Sequence, residues 1–360
     1  MKSFVYNGQP SRVVFGIGAL EHLGREITAL GATRALVLST PEQRDGAEMI
    51  AALLGNKCAG IFDRAVMHVP IETARAARAL ASQLNADCAV TFGGGSTTGL
   101  GKAIALESSL PILAIPTTYA GSEVTPIFGI TEGGMKKTGK DPRVLPRTVL
   151  YDPNLTLGLP VGLSVTSGIN AIAHAIEGLY AQDTNPIMQM VAEEGIRALA
   201  QGLPRVVADA RDPLARADCL YGAWLCGTVL GAVGMALHHK LCHTLGGSFN
   251  LPHAETHTVV LPHATAFNEH AAGDAMQRAR RALGLTSFGG TTVAQALFDL
   301  ARTNGAPVGL KQLGLPEADL DRAAEIATTS PYWNPRPFDR AAIRALLDDA
   351  FHGRRPTASS

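Results

Sequence analysis

The chain has 360 residues, 46% hydrophobic and 17% charged, which exceeds one ordinary domain and supplies a large buried core. That balance excludes a globally disordered polymer. Lys plus Arg equals Asp plus Glu, 31 each, so no net field favours nucleic acid or a membrane surface.

The opening residues, Met1 to Tyr6, are strand-like, with no basic segment leading into a long apolar run. Neither a signal peptide nor a transmembrane helix is visible, and the expectation is a cytoplasmic protein. Five cysteines (Cys58, Cys88, Cys219, Cys226 and Cys242) are odd in number and lack CxxC spacing, which fits reduced thiols. Phe15-Gly-Ile-Gly-Ala19 imitates part of a dinucleotide fingerprint, but Glu21 stands where the third glycine belongs. A turn between N-terminal strands is the better reading.

From Arg12 to about Leu159, short apolar runs alternate with amphipathic stretches. Ala35–Ser39, Cys88–Phe92 and Ile112–Ile115 read as buried parallel strands, and Ile71–Leu84 as a helix. This alternation predicts a doubly wound α/β dinucleotide-binding domain over residues 1–160. Thr91-Phe-Gly-Gly-Gly-Ser-Thr-Thr98 follows one strand and leads into a helical start. Gly93, Gly94 and Gly95 remove every Cβ where backbone must approach a ligand, and their amides with the Ser96 and Thr97 hydroxyls would cradle a pyrophosphate. A tight strand-to-helix turn is the plain alternative, though it seldom needs three glycines. Thr117 and Thr118 end the next strand, at the carboxyl edge where such sheets bind ligands. Ser39 ends the first, offering a hydroxyl and no acidic ribose anchor, so NADH and NADPH both stay open.

After Asp152-Pro153 the periodicity becomes helical. Val165–Ala181, Met188–Gln201, Pro213–Leu245, Thr292–Thr303 and Asp339–Phe351 predict an all-α domain over residues 161–352 and a flexible tail over 353–360. Seven of the eleven histidines lie between His238 and His270. His239 and His243 stand one helical turn apart, as do Asn170 and His174, while His253 reads as part of a turn after Gly246-Gly247. One histidine alone is usually structural; this density points to a metal site, acid–base machinery or an anion receptor. His257, His263 and His270 read as structural or supporting, and Cys242 as a small buried hydrophobe.

Gly93-Gly-Gly-Ser96, Pro116-Thr-Thr118, Tyr151-Asp-Pro153, the helix of His174 and the block from His239 to Asn250-Leu-Pro-His253 resemble the iron-containing alcohol dehydrogenase superfamily over nearly the whole chain. The resemblance implies that superfamily's dehydroquinate synthase-like architecture, NADH or NADPH as cofactor, and a homodimer. The superfamily's metal ligands are an Asp and a His one turn apart, then two histidines; here those positions hold Asn170, His174, His239 and His253. With a neutral amide for the carboxylate, no metal is expected. Gly99 also stands where an Asp is common.

Both departures, with Lys137-Thr-Gly-Lys-Asp-Pro-Arg143 and Asn334-Pro-Arg-Pro337, resemble a branch that reduces the carbon–carbon double bond of maleylacetate, an unsaturated keto-diacid. That likeness implies His243 as proton donor, with His174, His239 and His253 receiving the ketone or a carboxylate. Asn170 and Arg336 are expected on the dicarboxylate substrate and Lys137 near the cofactor. The alternatives are a metal-dependent alcohol or polyol dehydrogenase and a noncatalytic nucleotide-binding protein.

Overall fold

The structure, a computed structural model, describes Phe4, Tyr6, Gly8 and residues 11–133, 135–285, 290–330 and 332–357. The chain divides into two compact units, Gly8–Leu159 and one running from Pro160 onward.

In the first unit β1 (Arg12–Phe15), α1 (Leu23–Ala29), β2 (Ala35–Leu38), α2 (Arg44–Leu54), β3 (Cys58–Phe62), α3 (Ile71–Gln83), β4 (Cys88–Gly93), α4 (Gly95–Ser108) and β5 (Ile112–Pro116) follow one another. A hairpin, β6 (Ile127–Glu132) and β7 (Met135–Lys140), precedes β8 (Thr148–Tyr151). Among the described residues six strands form one parallel sheet in the order β1-β8-β5-β4-β2-β3. Its inner strands β8, β5, β4 and β2 are buried on both faces, which explains their unbroken apolar runs. Val37, Val90 and Leu113 pack with Leu23, Ile27, Ala47 and Ile50 of α1 and α2. On the other face Leu36, Leu38 and Ala89 meet Ala74, Ala77, Leu100 and Ala103 of α3 and α4.

The chain moves outward from β2 to β3, then crosses back to place β4 on the other side of β2. The topological switch therefore lies between β2 and β4, where doubly wound sheets leave a crevice for ligands. Ser39 and the glycine loop stand at those two strand ends. The Phe15-Gly-Ile-Gly stretch is a turn after β1, with Gly16 and Gly18 at φ of 142° and 83°.

The second unit is helical: α5 (Val161–Tyr180), α6 (Pro186–Ala208), α7 (Pro213–Ala232), α8 (Leu237–Phe249), α9 (His253–Asn268), α10 (Gly273–Ala282), α11 (Val293–Thr303), α12 (Leu320–Thr329) and α13 (Arg340–His352). Leu237, Leu241 and Leu245 of α8 pack with Val260 of α9, Ala324 of α12 and Leu347 of α13 in one core. No single described helix is long and apolar enough to cross a membrane.

Three expectations are corrected. Pro213–Leu245 is two helices meeting at 96°, broken at Val233–Ala236, where Glu177 of α5 and Asp183 just beyond it bind the freed backbone. His253 is the first residue of α9, and Gly246-Gly247 lie inside α8, which ends at Asn250 with φ 54°. Over 353–357 the expected tail is held: Arg354 pairs with Asp348 and Asp349, Arg355 with Asp299, and Pro356 O accepts from Gln295. Residues 358–360 lie outside the described residues.

His263 of α9 is buried, its Nε2 has no hydrogen-bond partner, and burial lowers its pKa to about 4 despite Asp349. The unfolded chain, with an ordinary imidazole near 6.5, binds more protons than the folded one in that window. Stability present above about pH 6.5 is therefore lost as pH falls toward 4, on the order of 3 kcal/mol from this group. Urea unfolding at about pH 7.5 and 5 checks this: His263→Gln should remove roughly 2 kcal/mol of the difference. An undiminished difference would acquit His263.

Candidate active site

In the first unit the glycine loop leaves β4 and enters α4. Gly93 has φ of 144°, and a Cβ there would lie 2.6 Å from Gln43 Oε1 and 2.7 Å from Thr97 Oγ1. A Cβ on Gly94 would lie 2.9 Å from Thr118 Oγ1, so packing alone demands both glycines. Gly95 is different: it is exposed, with no heavy atom closer than 3.9 Å to an added Cβ. Gly94, as N-cap, has no side chain for the first amides of α4, and Thr97 Oγ1 donates back to Gly94 O at 2.8 Å. A fourteen-residue helix opening on uncapped amides beside an open glycine suits the pyrophosphate of a dinucleotide. Ser96 is half-buried in its first turn.

Thr117 is buried beside the loop; its N–H donates to Gly93 O at 3.0 Å and its Oγ1 accepts from Gln43 Nε2 at 2.9 Å. Ser39, at the end of β2, is fully buried and its Oγ has no partner. Lys137 sits on β7, largely exposed and paired with Glu132 at 2.9 Å.

Sequence reasoning missed the support beneath this loop. Lys102 of α4 is fully buried and donates to Ser122 O at 2.6 Å, Ile127 O at 2.7 Å and Thr125 Oγ1 at 2.9 Å. Burial pulls its pKa down to about 7. Tyr151 OH donates to Glu123 Oε1 at 2.7 Å. Both interactions fix the segment following Thr117 and Thr118. The available signal was a lone Lys inside Leu100-Gly-Lys-Ala-Ile.

The second unit brings the histidines together. His174 of α5 places Nδ1 2.8 Å from His239 Nε2 of α8. His239 and His243 rings stand 6.2 Å apart, and His257 lies 5.1 Å from His239 and 4.4 Å from His253. Asn170 is one turn before His174, buried, with no partner for its Oδ1. His243 and His253 are exposed, whereas His174, His238, His239 and His257 are buried.

One carboxylate, absent from the sequence reading, organises this group. Glu177, fully buried one turn beyond His174, accepts from His239 Nδ1 at 2.7 Å. It also accepts the N–H groups of Ala236 at 2.9 Å, His238 at 2.7 Å and His239 at 3.4 Å. Glu177 thus caps α8 from another helix and fixes the His239 tautomer. With Nδ1 donating to the carboxylate, Nε2 faces His174, and a proton lies between the two rings. Beneath them His238 Nε2 and His257 Nδ1 are 2.9 Å apart. Burial first, then neighbouring imidazoles, hold both well below the ordinary histidine range, so this pair stays neutral. Cys242 is buried beside them, its Sγ 3.7 Å from His238 Nε2.

Arg336 is exposed, its guanidinium 4.3 Å from the Phe267 ring centroid and donating to Phe267 O at 3.2 Å. Its neighbour Asn334 exchanges two amide hydrogen bonds with Asn268, at 3.0 and 2.7 Å. Asn268 Nδ2 reaches Tyr180 OH at 3.4 Å, and that hydroxyl lies 3.4 Å from Glu177 Oε1. The Asn-Pro-Arg-Pro loop is thereby tied to the histidine group through Asn334.

A nucleotide-binding parallel sheet and a helical unit carrying clustered histidines define the class, and comparison with known proteins agrees. The chain belongs to the iron-containing alcohol dehydrogenase family, matching "Iron-containing alcohol dehydrogenase" over residues 10–153 and "Fe-containing alcohol dehydrogenase family, C-terminal" over 164–351. Among its relatives is the maleylacetate reductase of Burkholderia cepacia, 62% identical over 99% of this chain and 100% of that one. The crystal structure of maleylacetate reductase from Agrobacterium tumefaciens superposes with a TM-score of 0.95 at 54% identity, covering 99% and 100% of the two chains. That of Rhizobium sp. strain MTP-10005 gives 0.94 at 55%, with the same coverage.

The family name raises the question of a metal. The equivalent donors here are one amide and three imidazoles, a set without an anion to compensate a divalent charge. Two imidazoles on one tetrahedral ion hold their ligating nitrogens about 3.3 Å apart. His174 Nδ1 and His239 Nε2, at 2.8 Å, are instead hydrogen-bonded to one another. In this arrangement the two rings form a hydrogen bond and not a pair of ligands on one ion.

Glu177→Gln should preserve the fold yet lower turnover about 10- to 100-fold, the worth of a charge-assisted hydrogen bond. Nitrogen-15 NMR should then show His239 losing its single tautomer, and Glu177→Asp should restore part of the activity; an unaltered tautomer would refute the assignment. Gly94→Ala should raise the KM for NADH several-fold, because overpacking against Thr118 costs about 1–3 kcal/mol. Isothermal titration with NADH measures it directly.

Proposed function

We propose that this chain reduces the carbon–carbon double bond of maleylacetate to give 3-oxoadipate, using NADH or NADPH and no metal ion. The relatives' identity over full length supports the reductase activity and substrate. The observation carrying the metal-free reading is the 2.8 Å contact between His174 and His239, with Asn170 in the carboxylate's place. A homodimer in the cytoplasm belongs to the same reading, by likeness to the family.

An alcohol dehydrogenase develops its negative charge on one oxygen, where a metal acts directly. A conjugated keto-diacid spreads that charge. The glycine loop, Thr117 and the opening amides of α4 hold the dinucleotide, with Thr118, Ser39 and Lys137 as the further expected contacts. When bound, the dihydronicotinamide supplies a hydride. Addition at the alkene carbon β to the ketone leaves an enolate, and a proton at the α carbon completes the product. His243 is exposed one turn beyond His239, and its ring delivers that proton. His174 and His239, with His253 beside them, receive the enolate oxygen, and Glu177 orients the His239 ring. Asn170 contributes an amide to the substrate, and Arg336 is the expected cation at the loop.

NADH oxidation by maleylacetate should proceed at an unchanged rate after exhaustive chelation, with substoichiometric iron and zinc by mass spectrometry. Recovery of a chelated, inactive protein on adding either metal would sink the metal-free scheme. His243→Ala should reduce kcat about 10²- to 10⁴-fold, the ordinary worth of general acid catalysis.

A further inference from the structure

A diacid brings two carboxylates, and Arg336, its guanidinium over the Phe267 ring, is the one cation expected on it. Lys240 of α8 offers a second. At about 100° per residue, Lys240 and His239 flank His243 on one face of α8. The Lys240 side chain is half-buried, and among the described residues no carboxylate or hydrogen-bond acceptor is recorded for its ammonium. Its recorded neighbour is the Tyr332 ring, with Nζ 5.6 Å from the centroid. A partly desolvated cation without a counter-ion is unfavourable until an anion arrives.

Tyr332 adds an independent observation. Its hydroxyl is buried without a hydrogen-bond partner, while its ring stacks on Phe338 at 4.8 Å. Burial first, and the charge of Glu177 second, keep the phenol protonated, so it can only gain by donating to an acceptor. The segment bearing it is fixed two residues later by the paired amides of Asn334 and Asn268. An unpaired ammonium and an unpaired hydroxyl donor thus sit beside the proton-donating face of α8.

We infer that Lys240, with the Tyr332 hydroxyl, forms the receptor for one carboxylate of the substrate and sets the preference for a diacid over a mono-acid. The inference rests on the reductase reading above and names a specificity-determining residue for it. A substrate carboxylate accepts from both groups, which holds the conjugated chain against His243.

The test compares wild type, Lys240→Met, Lys240→Arg and Tyr332→Phe on maleylacetate and on two mono-acid analogues, each with a methyl group replacing one carboxylate. Lys240→Met should raise the KM for maleylacetate about 10- to 100-fold, the worth of a hydrogen bond to a charged group, and leave that for NADH unchanged. Lys240→Arg should recover most of the loss, and Tyr332→Phe should show a smaller penalty of the same kind. The penalty should vanish on the analogue that lacks the carboxylate held by Lys240. An equal penalty on both analogues, or a parallel rise in the KM for NADH, assigns Lys240 to packing or cofactor and overturns the inference. A wild-type KM in Lys240→Met also overturns it, with the reductase reading intact. If wild-type protein fails to oxidise NADH with maleylacetate, both readings fall.

Discussion

The histidine group depends on one buried carboxylate. Glu177 stands in the last turn of α5, and from there it caps the N-terminus of α8 and holds the His239 ring. A charge buried this deeply is tolerable only with several donors around it. Here the donors are backbone amides of a helix start, which would otherwise be unsatisfied, and one imidazole. The arrangement solves two problems together. It ends α7 and starts α8 at a sharp angle, and it turns the His239 lone pair toward His174.

From that anchor the cluster sorts into layers. His238 and His257, fully buried and hydrogen-bonded to one another, are held neutral by desolvation. They form an uncharged floor beneath His174 and His239. His243 and His253 stand above, exposed, where a substrate can meet them. Six imidazoles this near one another could not all be charged, and burial decides which remain neutral.

Much of this was legible in the sequence, and the misses share a cause. The glycine loop is a local device: strand, glycines and helix start are contiguous, so residues 91–98 nearly define it unaided. The one-turn spacing of Asn170 with His174 and of His239 with His243 likewise survives into the fold. Glu177 was invisible because its partners lie 59 to 62 residues away, and a single Glu in a helical run reads as surface. The break at Val233–Ala236 went unseen for the same reason, since its backbone is satisfied by Glu177 and Asp183. Gly246-Gly247 misled in the opposite direction: α8 packing keeps them helical, and Asn250 in the left-handed region ends the helix instead. Arg336 carries the right charge for a diacid, and its exposed guanidinium lies over the Phe267 ring.

The exchange of a carboxylate for Asn170 has a wider consequence than a lost ligand. With an Asp there, two buried anions would face the His174–His239 pair, and a divalent cation would be the simplest way to balance them. With an amide, Glu177 is the carboxylate in contact with that pair, accepting from His239 Nδ1. A proton is a weaker electrophile than a divalent ion but sufficient when the developing charge is delocalised over an enolate. The chemistry then shifts from carbonyls, which concentrate charge on oxygen, to conjugated alkenes, which spread it. On this view the amide at position 170 and the carboxylate at 177 are one design: the first removes a charge, and the second fixes the His239 tautomer.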